Sequence, residues 1–120
     1  MNRTLPTATL MTLRLAGALT LVLGALFWLG RMQSLIHVHM GMGLLVVLCL
    51  WLMAFLARRA APVLALVAAL WGVLVPVAGV AQLVLGLGDL QWLLQVLHLV
   101  LGLGALAQGE RLGKVLRRAA

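Results

Sequence analysis

A chain of 120 residues that is 65% hydrophobic and only 9% charged is not a soluble domain, because a fold of this size has too little interior to hide so much apolar surface. The formal net charge of +7 would suit a nucleic-acid binder if it were spread over one face, but it is confined to a few short segments. A single cysteine, Cys49, excludes an intramolecular disulfide and reads as a small buried hydrophobe.

Four apolar runs, each about the length that crosses a bilayer, follow one another at about 12–30, 33–57, 62–86 and 90–108. They define an all-α, four-helix transmembrane bundle and a single domain over 1–120. The first run follows Arg3 and Arg14 as a secretory signal would. No small-residue cleavage site follows "ALFWLGR", so the span is expected to be retained. The connections "RMQ", "RRAA" and "LGD" are short enough to make neighbouring spans antiparallel. Pro62 suits the first turn of the third helix, Asp89 is a candidate N-cap for the fourth, and Pro76 predicts a kink near Gly72.

This topology sorts the charges. Arg3, Arg14, Arg58, Arg59, Arg111, Lys114, Arg117 and Arg118 fall on one side, and Arg31 with Asp89 on the other. By the positive-inside rule both termini are cytoplasmic, as expected for a bacterial or archaeal inner-membrane protein. The basic charge therefore reads as topology and contact with anionic lipid, with no role for nucleic acid. Trp28 and Trp92 are expected at the outer interface.

"AGALTLVLGAL" at 16–26 resembles "AGVAQLVLGLG" at 78–88. In the helices that follow, Ser34, His37, Gly41 and Gly43 match Gln95, His98, Gly102 and Gly104: a polar residue at −3 and glycines at +4 and +6 from a histidine. The pattern predicts a duplicated helical hairpin, a parallel repeat that sets two histidines at similar depth in the outer half of the bundle. In the fourth span Gln91, Gln95, His98, Gly102, Ala105 and Gly109 form a polar-and-small stripe that should turn inward.

Histidine inside a membrane span is costly and usually functional, and a glycine one turn below it clears a slot for a flat cofactor. His37 and His39 stand about 200° apart on one helix, so a single face cannot present both. The −3, +4, +6 spacing selects His37 as the partner of His98, whereas depth below the loop favours His39. Zinc and copper centres usually want three or four ligands, and the spans offer no carboxylate. Two imidazoles suffice for haem iron. Haem b is the expected cofactor, with Gly41, Gly102 and Gln95 beside the ligands. Arg31, the only cation on the outer side, is then available to a haem propionate.

With these residues in place, the chain resembles one four-helix half of the haem A synthase family, whose halves carry a histidine pair on their second and fourth helices. His37 and His98 match that pair, and "QLVLG" at 82–86 is similar to the family's Gln-x-x-x-Gly segment in the third helix. The likeness runs over nearly the whole chain through short motifs. The Glu and Arg that flank the histidine in the family's first half are Ser34 and Val38 here. The resemblance therefore implies the haem-binding frame of the second, haem b half, without the acid associated with oxidation chemistry.

The leading expectation is a membrane b-type cytochrome that passes single electrons to or from a quinone or another respiratory-chain partner, as a homo-oligomer or as a subunit of a larger complex. The alternatives are a haem-handling or oxidase-assembly protein, a metal-ion carrier using His37, His39 and His98, and a cofactor-free structural subunit.

Overall fold

The computed structural model describes residues 2–119. Four helices follow in order: α1 (Thr4–Trp28), α2 (Ile36–Ala57), α3 (Pro62–Val84) and α4 (Gln91–Ala119), with single 3-10 turns at Gln33–Leu35 and Gly88–Leu90 leading into α2 and α4. All four are long and apolar enough to cross a membrane. Successive helices are antiparallel, α1 also packs on α4, and α2 runs parallel to α4 in direct contact across the bundle.

The helices start and stop where local chemistry dictates. Pro62 occupies the first turn of α3, where its missing N–H costs nothing. Gly30, at φ +74°, closes α1: its N–H donates to the Phe27 carbonyl (2.9 Å) and that of Arg31 to the Leu26 carbonyl (2.8 Å), the paired bonds of a left-handed glycine cap. At the head of α4 the expected Asp89 cap is replaced. The Gln91 side chain accepts from the Leu87 N–H (3.3 Å) and donates to the Gln82 carbonyl (2.8 Å), tying α4 back to the end of α3. α3 continues as helix through Pro76.

Helices α1 and α4 run well beyond the apolar runs at the basic end, and amphipathic packing explains the extension. Leu10 and Leu13 of α1 lie over Gly113 and Gly109 of α4, where an added Cβ would come within 2.8 and 2.9 Å of the leucines. Leu112 and Leu116 are fully buried, while Arg111, Lys114, Arg117 and Arg118 face outward. Arg14 and Glu110 close this pair of helices with two bonds, Nε to Oε1 (2.6 Å) and Nη2 to Oε2 (2.8 Å).

Two tryptophans lock the middle of the bundle. Trp51 of α2 lies on Gly72 of α3 and donates its indole N–H to the Ala69 carbonyl (3.0 Å). Trp71 of α3 lies on Gly104 of α4 and donates to the Leu101 carbonyl (2.7 Å). Each indole pairs its polar atom with backbone while its rings fill the notch left by a glycine.

Burial is unequal along the bundle. The largest fully buried side chains, Leu13, Val47, Leu50, Met53, Leu112 and Leu116, all belong to the half nearer the basic end. Across 24–45 and 79–100, the half that holds both inter-helix loops opposite the basic end, no residue is buried. Protein interiors are ordinarily close-packed, so this half is not closed by its own side chains.

Candidate functional site

The unclosed half holds the histidines. The His39 ring of α2 and the His98 ring of α4 face each other with centroids 6.2 Å apart and planes at 66°. His37, two residues earlier, is exposed. The structure thus brings together His39 and His98, and the sequence spacing that favoured His37 does not describe the pairing. A helix that turns one ring inward must turn a residue two positions away outward.

The two rings are seated alike. His39 lies against α1, beside the Thr20 main-chain carbonyl and over Gly24, where a Cβ would stand 3.4 Å from Cε1. His98 lies against α3, beside the Val75 carbonyl and over Gly79, where a Cβ would stand 3.1 Å from Cε1. In both seats the carbonyl precedes the glycine by one helical turn. The seats do not follow the register in which the "LVLG" segments align: Gly17, the counterpart of Gly79 in that register, is covered by Leu106 instead. Phe27 adds an edge-on contact to His39, centroids 5.2 Å apart at 75°.

Each ring keeps a buried nitrogen, Nδ1, without a hydrogen-bond partner. Buried polar atoms are nearly always satisfied; Oε1 of Gln108, further along α4, is the third unpartnered one among the described residues. Among the described residues no three His, Cys, Asp or Glu side chains converge on one point. The donor set is therefore two neutral-capable nitrogens.

The other expected site residues fall as follows. Gly102, one turn below His98, has nothing within 4 Å of a built Cβ, and Gly43, one turn below His39, meets only the Thr20 methyl at 4.0 Å. Gly41 is also open, but it is exposed on the outward face. A glycine at +4 is thus common to His39 (Gly43) and His98 (Gly102), whereas the sequence reading places Gly43 at +6 from His37. The α4 stripe turns inward as expected: Gln91, Gln95, His98 and Gly102 are half-buried and Ala105 and Gly109 buried, while Leu93, Val96, Leu97, Val100 and Leu103 are exposed. Arg31 is exposed in the α1–α2 connection. Trp28 and Trp92, both about half exposed, stand at the same end. Gly24, Gly79, Phe27 and the two carbonyls escaped the sequence reading, because nothing in α1 or α3 distinguishes a glycine beneath a ring from one beneath a leucine.

Comparison with protein-family models, curated proteins and solved structures finds no match.

Proposed function

We propose that the protein is a membrane b-type cytochrome that holds haem b between His39 and His98 and carries single electrons. The facing histidine pair carries this reading. The two imidazoles, 6.2 Å apart centroid to centroid, would supply the two ligands that haem iron needs. A main-chain carbonyl beside each ring is the acceptor that a ligating histidine's remaining N–H ordinarily uses. Gly43 and Gly102 leave both helices open one turn below the ligands. The half-bundle around them has no closed core of its own, and its exposed side chains are apolar.

Haem supplies a one-electron couple when bound. The chain's residues would hold and orient it: Gly24 and Gly79 let the rings approach α1 and α3, Phe27 packs edge-on against His39, and the leucine-rich wall would exclude water. Arg31 and Asp89 are the charged residues toward this end, with the remaining charge toward the other; by the positive-inside rule this supports a reading with the haem in the outer half and both termini in the cytoplasm. A quinone or another respiratory redox protein is the corresponding electron partner.

The test is the spectrum of protein purified in mild detergent. A reduced six-coordinate b-type α-band, with reversible one-electron titration, is expected. Colourless protein from haem-sufficient cells that also takes up no added haem overturns the reading, whereas haem that binds but does not titrate reversibly favours a haem-handling role.

Arg31 offers a finer prediction. It is the only cation at the histidine end, and a propionate directed to that surface needs a donor. Replacing Arg31 with Gln lowers the midpoint potential, because losing a nearby positive charge disfavours the electron-rich reduced form. An unchanged potential at low salt in neutral detergent assigns Arg31 to lipid phosphate instead.

A further inference from the structure

A second feature lies in the basic half of the bundle, away from the histidines. Helices α2 and α3 leave between them an open groove of about 590 Å³. Its lining is small where it is buried, with Ala54 at 4% and Ala65 at 5% exposure, and large where it is exposed, with Trp51 and Phe55 from α2 and Leu66 from α3. We infer that this groove holds one acyl chain of an anionic phospholipid of the leaflet at the basic end, with the lipid phosphate on Arg58 at the groove's mouth.

Length and lining select a hydrocarbon chain. The groove begins at Pro62 in the first turn of α3 and reaches Val73, about 16 Å along the helix at ~1.5 Å per residue, which matches the ~15 Å of one leaflet's hydrocarbon. Apart from Arg58, the one polar side-chain atom of the lining is the Trp51 indole Nε1, and it is spent on the Ala69 carbonyl at 3.0 Å. Beyond Arg58 the side-chain walls are therefore apolar, and a ligand with a polar body would leave its groups unpaired there.

Charge selects the head. The Arg58 guanidinium is held over the Phe55 ring, 3.9 Å from its centroid, and Nη1 donates to the Phe55 carbonyl at 2.6 Å. No other bond to Arg58 is found among the described residues. Nε and Nη2 thus keep donors for phosphate oxygens, which arginine matches with a fixed fork. The chain has two acidic side chains. Asp89 stands toward the opposite end of the bundle, and Glu110 has both oxygens engaged by Arg14 between α1 and α4. Arg58 and its neighbour Arg59 therefore carry charge that no acidic side chain of this chain answers, at the mouth of an apolar groove. An amphiphile with an anionic head and a hydrocarbon tail complements both parts, and basic pockets between membrane helices are where anionic headgroups bind.

Native mass spectrometry of the full-length protein in nonionic detergent tests this, with dioleoyl-phosphatidylglycerol and dioleoyl-phosphatidylcholine titrated separately. One phosphatidylglycerol per chain is expected to bind at least about tenfold more tightly than phosphatidylcholine. Arg58→Gln should weaken the anionic lipid about tenfold, while Arg111→Gln, which removes a charge of the same end from α4, should change binding by less than about twofold. Ala69→Phe fills the groove and should weaken binding at least about fivefold. Val67→Phe adds the same bulk at an exposed position of α3 outside the groove and should leave binding within about twofold. Leu66→Ala, at an exposed position, removes part of the wall and should weaken binding about threefold, which tests the tail's seat even where the phenylalanine variant does not fold. Melting curves matching the parent protein show which variants are folded. Equal affinity for the two lipids overturns the site, and equal losses for Arg58→Gln and Arg111→Gln overturn it by showing diffuse attraction. Undiminished binding by Leu66→Ala or by folded Ala69→Phe also overturns it. So does a dimer that Ala69→Phe dissolves, which makes a second copy of the chain the occupant.

Discussion

Purified His39→Ala and His98→Ala proteins are each expected to lose the six-coordinate spectrum of the proposed haem, and His37→Ala to keep it. The two inward rings face each other at 6.2 Å, and neither has a substitute: no third His, Cys, Asp or Glu side chain converges on them among the described residues. Loss of an outer-shell partner already lowers metal affinity about 10–100-fold, so loss of a ligand should exceed that and leave haem absent or five-coordinate. His37 points away, and its removal should change haem occupancy by less than about twofold. Haem per chain, read by pyridine haemochrome assay beside the reduced spectrum, gives the comparison. Size-exclusion profiles matching the parent protein show that the bundle survives. If His37→Ala loses haem and His39→Ala retains it, the inward face of α2 is wrongly assigned and the bis-histidine proposal for this pair fails. If all three variants keep a six-coordinate spectrum, the ligands lie elsewhere.

The four helices were legible because apolar length in a chain without competing polar domains has one solution. The inward turn of the α4 stripe was legible too, since Gln91, Gln95 and His98 at helical spacing cannot all face lipid without cost. Choosing between His37 and His39 was harder. Gly41 and Gly43 stand at +4 and +6 from His37 and at +2 and +4 from His39, so each histidine has a glycine four residues on. The full −3, +4, +6 spacing pointed to His37 and depth below the loop to His39. The seats beneath the rings lay further out of reach. Gly24 and Gly79 are ordinary small residues in leucine-rich helices, and which partner covers them depends on helix rotation that no local signal encodes. The long ends of α1 and α4 were missed for a different reason: a hydropathy window stops at Glu110 and Arg111, whereas an amphipathic helix continues while Leu112 and Leu116 join the buried cluster that holds Leu10 and Met53.

Gly104→Ala is expected to destabilise the bundle strongly, and much of that added cost to disappear in a chain where Trp71 is leucine. A Cβ at Gly104 would stand 2.5 Å from Cζ2 and 2.8 Å from Cε2 of Trp71, inside any tolerable contact. The indole has no soft end to yield. Its rings are rigid, and its N–H is anchored on the Leu101 carbonyl at 2.7 Å, so relief requires breaking that bond or parting α3 from α4. Overpacking of this kind costs about 1–3 kcal/mol, and the lost hydrogen bond adds about 0.5–1.5 kcal/mol. Trp71→Leu alone also destabilises, by loss of buried area and of the bond, but it removes the atoms that the added methyl group would strike. The double-mutant cycle should therefore show a coupling of at least about 1 kcal/mol, the range found for residues in contact. Reversible unfolding in mixed detergent micelles, followed by circular dichroism, measures all four corners. Additive losses would mean that Trp71 swings aside freely. The indole would then be a passive filler, and α3 and α4 would be held together by the Gln91 bridge and leucine packing alone.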